Sequence, residues 1–246
     1  MGSGENSPAM VTPHQMILRD HGKDSYRINL DTPYGFQENA DELTERITKY
    51  FEVNVGFPLR DVNLRNLDSS HIDEIDKADW LFAGPGSPTY ALRIWRELGA
   101  DKKFNALLQR GSIVMASAAA MSLGAKVMPV YEMYKVGADP HWVDGLDVLG
   151  AATGISAAVV GHFNNTQGGT HDTRYCFVGE KRMNTLLDQL DPATGVLGID
   201  EHTGISFNLD TYQAQVFGKG SVTFIKGAER VELENKKVID YRQLVG

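Results

Sequence analysis

Apolar positions along this chain alternate between two spacings. From Asn39 to Phe51, the residues Leu43, Ile47, Tyr50 and Phe51 recur as one stripe of a helix, and Val53 to Phe57 then reads as a strand or its lead-in. Asp79-Trp80-Leu81-Phe82-Ala83 is a short buried-strand pattern closed by the turn-rich Gly84-Pro85-Gly86-Ser87-Pro88. Tyr90, Leu92, Trp95 and Leu98 predict an amphipathic helix ending near Gly99, and a second helix runs from Lys102 to Gln109. Ser112 to Met115 is again strand-like and gives way at Ser117 to the helix formers Ala118-Ala119-Ala120-Met121. Further on, Ala157–Val160, Val196–Ile199 and Gly204–Phe207 read as strands, with a helix over Arg182–Leu190. Ala214–Phe217, Val222–Ile225 and Arg230–Leu233, set apart by glycine turns, predict antiparallel strands. Strand-loop-helix units followed by such a tail predict an α/β fold with a parallel sheet, whose ligands bind at the carboxyl ends of its strands.

Composition narrows this picture. The chain has 246 residues, 42% hydrophobic and 23% charged, without a repeat or a low-complexity linker, which predicts one domain over 1–246 with its β-strand tail at 212–246. A formal net charge of −8 and the lack of a Lys/Arg stripe exclude a nucleic-acid partner. The single cysteine, Cys176, fits a reducing, cytoplasmic setting, and no Cys/His spacing implies a metal or other cofactor. No apolar run approaches the roughly 20 residues that span a bilayer, and no basic-then-apolar signal opens the chain, so no membrane partner is expected. Gly2-Ser3-Gly4-Glu5 has the make-up of a turn that follows a first β-strand, yet only Met1 precedes it. The expectation is a strand upstream of Met1, which the reading frame before that codon would test.

The candidate chemistry centres on Ser117. A serine between a buried strand and a small-residue helix is either a nucleophile elbow or a helix N-cap. The elbow pattern has glycine two residues before and after the serine, where this chain has Met115 and Ala119. Acyl transfer also needs a base, an acid to orient it and two oxyanion donors. His162, directly after the Ala157–Val160 strand, is the candidate base, with His141 in reserve, and Glu201, just past Ile199, is the candidate acid. The N–H groups of Ala118 and Gly86 are the candidate oxyanion donors. Each candidate falls at the C-terminal end of a predicted strand.

Taken in order, Gly84-Pro85-Gly86 with Thr89, Ser117-Ala118, His162-Phe163-Asn164 and Ile199-Asp200-Glu201 resemble peptidase family S51, the group of aspartyl dipeptidase and cyanophycinase, over roughly Asp79 to Gly204. The resemblance implies a three-layer α/β sandwich with a mostly parallel central sheet, of the class I glutamine amidotransferase-like kind. It implies Ser117 as nucleophile, His162 as general base, Glu201 as the acid, and Gly86 and Ala118 as oxyanion binders. Glu132 stands near another acidic position of that group, as an alternative acid or a substrate contact. Met115, Ala119 and Ser87-Pro88 depart from the family pattern, and Met115 is expected to narrow the pocket or strain the turn.

The expected activity is therefore hydrolysis of a small peptide or amide. Two other readings compete: a catalytically degenerate relative that binds a small ligand or protein, and a glutamine amidotransferase-like domain, which would need a cysteine at the elbow. Lys126, Lys135 and Arg174 are candidate cations for an acidic substrate. The terminal strands offer an edge through which copies could pair into a homo-oligomer.

Overall fold

The computed structural model describes residues 1–22, 24–67 and 69–245. Four parallel strands form its first sheet: β1 (Arg27–Leu30), β2 (Arg60–Val62), β3 (Trp80–Ala83) and β4 (Ser112–Met115), in the order β2-β1-β3-β4. After the two-residue strands β5 (Lys126–Val127) and β6 (Val143–Asp144) come β7 (Ala157–Val160), β8 (Gly195–Ile199), β9 (Thr203–Asn208), β10 (Gln213–Gly218), β11 (Val222–Lys226), β12 (Glu229–Leu233) and β13 (Val238–Asp240). They pair as β12-β11-β8-β7, parallel only at β7 and β8, and as the antiparallel β13-β10-β9. The helices are α1 (Val11–Arg19), α2 (Ala40–Tyr50), α3 (Glu74–Lys77), α4 (Pro88–Glu97), α5 (Ala100–Leu107), α6 (Ala118–Ser122), α7 (Val148–Thr153) and α8 (Gly179–Asp188).

The layers follow from alternation along β3. Trp80 and Phe82 join Leu18, Ile47 and Phe51 from the α1 and α2 side, whereas Leu81 and Ala83 join Trp95 and Phe104 from α4 and α5. Both faces of β3 are thereby dry, which is why it reads as a continuous apolar run. Each large side chain buried in this way stabilises the fold by about 1.5–3 kcal/mol. A third cluster packs Met183 and Leu186 of α8 on Ala158, Val160 and Val196.

One expected strand is absent. Phe51, Val53, Val55 and Phe57 alternate as a strand would, but Phe51–Val55 continues α2 as a wider helical turn. Positions two apart and four apart coincide at Phe51 and Val55, which are buried on one face while Val53 is 66% exposed. Gly56, left-handed at φ 85°, closes the turn. One further element carries no clear pattern in the sequence. The strand β1 mixes Arg27 and Asn29 with Ile28 and Leu30, yet all four are buried, and Asn29 is held by the Tyr34 hydroxyl and by Asp61. Among the described residues, no helix is long and apolar enough to cross a membrane.

Candidate active site

Ser117 stands where β4 meets α6. The Ala116 N–H makes the last ladder bond to Ala83 O, and the chain then turns at Ser117 with φ 50° and ψ −118°. Positive φ is costly for a residue with a Cβ. The N-cap alternative fails on geometry, because the hydroxyl makes no capping bond to α6. Ser117 Oγ instead lies 3.0 Å from His162 Nε2.

His162 sits at φ 46° on the turn after β7, tied down by Phe163 N donating to Ile199 O. The Phe163 ring covers Gly198, where an added Cβ would come within 2.4 Å of it. Glu201 lies on the turn between β8 and β9, and its Oε1 is 3.0 Å from His162 Nδ1. Because a carboxylate only accepts, that contact places the proton on Nδ1 and leaves the Nε2 lone pair to accept from the Ser117 hydroxyl. Asn165 Nδ2 donates to the same Oε1 at 2.8 Å, and Glu201 N donates to Asn164 Oδ1 at 2.8 Å. Neither asparagine stands out as a site residue in the sequence. Their signal was position: amides directly after His162-Phe163, on the turn that must also hold the acid.

Of the oxyanion candidates, Ala118 follows Ser117 directly and Gly86 lies on a loop bonded to the same helix. Ala118 opens α6, where N–H groups have no acceptor within the helix. The Gly84–Gly86 loop is tied to that helix by Ala119 N donating to Gly84 O, and Gly86 has φ 146°. A Cβ on Gly86 would lie 1.9 Å from Pro33 O, so only glycine fits there.

The profile of peptidase family S51 matches residues 1–214. The chain belongs to peptidase family S51. Among solved structures, the chain is similar to a peptidase from an acI-B1 Actinobacterium, with TM-score 0.74 and 20% identity over 97% of this chain and 94% of that one. It is also similar to a protein described as a candidate peptidase E from Listeria monocytogenes EGD-e, with TM-score 0.59 and 15% identity over 95% and 96% of the two chains. No curated protein matched the sequence. Family membership makes the chain a hydrolase of the peptidase type.

Within this S51 chain, Glu132 is not the group on His162. Its Oε1 accepts from Thr89 Oγ1 at 2.8 Å, beside Ser87 at the start of α4. The candidate cations have partners of their own: Lys126 with Asp144, Arg174 with Asp172 and Glu180, and Lys135 over the Tyr134 ring. His141 is exposed with Nδ1 on Asp139 O, and the ring on Ser117 Oγ is that of His162. Cys176 is buried beside Met121, and burial pushes its thiol up to about 12, far from thiolate chemistry. Met115 is 5% exposed and belongs to the core with Ala119 and Ile199, so the elbow forms without either family glycine.

Two further contacts had no clear sequence signal. Phe177, the last of three left-handed residues (Tyr175, Cys176 and Phe177), places its ring 5.8 Å from the His162 ring. Glu5 is buried within electrostatic reach of His162, His202 and the Met1 ammonium, and burial raises its carboxyl above the usual range.

Proposed function

We propose that this S51 chain is a serine-type hydrolase of amide or peptide bonds that acts through an acyl-enzyme. Ser117 Oγ attacks the scissile carbonyl carbon while its proton passes to His162 Nε2. The oxyanion is held by the N–H groups of Gly86 and Ala118. As the C–N bond breaks, the imidazolium returns the proton to the leaving amine, and Glu201 stabilises the charged ring throughout. Water, deprotonated by His162, then cleaves the ester and restores the serine. No step needs a metal or a cofactor.

The observation that carries this reading is the chain of contacts from Ser117 Oγ to His162 Nε2 and from His162 Nδ1 to Glu201 Oε1, each 3.0 Å long. A fluorophosphonate probe tests it. The expected result is one phosphonyl group on Ser117, none on Ser117→Ala or on heat-unfolded protein, and at least about a 10⁴-fold loss of peptidase activity in Ser117→Ala. A folded protein that binds peptides but takes no label would be a non-catalytic relative, and the proposal would fall.

A further inference from the structure

One wide helical turn, Glu132–Val136, has contacts on both sides of the candidate active site. Its Met133 joins the buried cluster of Met121, on α6, the helix that Ser117 opens. On one flank Glu132 accepts from Thr89, which is bonded to Ser87, the residue after Gly86. On the other, the Tyr134 ring lies 5.6 Å from the Phe177 ring, inclined at 33°, and Phe177 in turn lies 5.8 Å from the His162 ring. Tyr131, at the head of the same turn, is 40% exposed and within electrostatic reach of the Cys176 thiol. Three aromatic rings therefore gather around the Cys176 turn beside His162, and none of them is buried.

Phe177 is held there against conformational preference. Tyr175, Cys176 and Phe177 have φ of 57°, 56° and 71°, a left-handed run that residues with a Cβ avoid. Backbone bonds fix the run to the histidine: Tyr175 N donates to Phe163 O at 3.1 Å and Cys176 N to His162 O at 3.2 Å. The Cys176 side chain is buried against Met121, and Asp172 closes the base by accepting from Glu180 N and from Arg174, each at 2.8 Å. A strained turn that is anchored on a candidate catalytic residue and presents a part-exposed ring beside it points to a role in the reaction.

The direction of proton transfer says which part of a substrate those rings meet. His162 Nε2 returns its proton to the leaving amine, so the residue on the amine side of the scissile bond passes beside the imidazole. We propose that Tyr134 and Phe177, with Tyr131 at the rim, form a subsite for an apolar side chain on the amine side of the bond that is cut. The subsite rests on the serine-hydrolase reading. Charge agrees with it. Glu132 on the same turn and Glu201 on His162 disfavour an acidic side chain, and the candidate cations are each partnered, Lys135 on the Tyr134 ring itself. An apolar side chain, by contrast, would cover ring surface that stands partly in water.

The test is digestion of a defined peptide mixture that places each residue type on either side of a bond, with the cut bonds identified by mass spectrometry. Leu, Ile, Met or Phe directly after the cut are expected to exceed Asp, Glu and Gly by about 10-fold or more in kcat/KM. In Tyr134→Ala and in Phe177→Leu that ratio is expected to fall to about 3-fold or less. Because the ratio is taken within each variant, a general loss of activity from disturbing His162 cancels. Tyr134 lies on a part-exposed turn, which keeps one variant available should Phe177→Leu fail to fold. A wild-type protein that cuts without regard to this position, or a ratio that survives in the variants, overturns the subsite. Selection that falls instead on the residue before the cut overturns it as well. Fluorophosphonate labelling separates the two levels: a labelled Ser117 without the preference counts against the subsite alone, whereas folded protein with neither label nor cleavage removes both.

Discussion

Glu201 Oε1 accepts from both His162 Nδ1 and Asn165 Nδ2, so one oxygen fixes the imidazole tautomer while the amide fixes the carboxylate. These roles separate experimentally. Glu201→Gln should cost about 10³–10⁴-fold in kcat, because the imidazolium loses its counter-charge. Asn165→Ala removes a hydrogen bond to a charged acceptor, worth about 1.5–3 kcal/mol, and should cost on the order of 10-fold or somewhat more, with KM nearly unchanged. Steady-state kinetics on a peptide substrate, with circular dichroism to confirm folding, decide both. Equal effects of the two substitutions would mean that Asn165 does more than position the acid. At this scale the sequence singled out Ser117, His162 and Glu201 by type and by place at strand ends, and the structure joins the three side chains in one chain of contacts. It said little about Asn165 or Phe177, whose parts depend on which side chain each meets.

Among the elements, the glycine-rich loop after β3 shows where sequence pattern stops. Gly84-Pro85-Gly86 is legible as a turn. That Gly86 can bear no side chain is not legible, because the obstructing group is Pro33 O, in the short helical turn after β1. Gly86→Ala is expected to shift this loop. Catalysis should fall about 10²–10³-fold, the loss of one oxyanion donor, while Ser117 and His162 stay in contact. A kcat that survives Gly86→Ala within a factor of two or so would remove Gly86 from the oxyanion role. The Phe51–Val55 segment teaches the related point that alternation over five residues fits a strand and a helical face alike, and burial of Phe51 with Val55 decides between them. In β1 the difficulty is reversed. Arg27 and Asn29 hide a buried strand because their cost of burial is offset by partners such as Asp61 that only the folded sheet supplies.

For the whole molecule, buried titratable groups tie stability to pH. His14 is enclosed by Phe51, Trp80 and Phe82 with Nε2 on Glu5 O, and burial lowers it from 6.5 to about 4. Its folded-state value is depressed, so the unfolded chain binds the extra proton first. The contribution is fully present above about pH 6.5 and is lost as pH falls through about 4. Glu5, raised by burial, opposes it by favouring the protonated acid form. Urea midpoints should therefore fall between pH 6.5 and 4, and His14→Phe should flatten that slope. An unchanged slope in His14→Phe would mean that His14 is not the group responsible.

What the sequence determined by itself was periodicity and punctuation: the Trp80–Ala83 and Ser112–Met115 strands, the helices after them, the antiparallel tail, and a serine, a histidine and a glutamate at strand ends. These are local properties, set by which residues alternate and where turns interrupt them. Tertiary structure decided the contacts between distant segments. It placed Ser117 within 3.0 Å of His162, gave His162 to Glu201 while Glu132 went to Thr89, and ran Met1 to Ser3 between their turns beside a groove lined by both halves of the molecule. Such pairings depend on how sheets and turns approach one another in space, and residue spacing along a chain does not carry that distance.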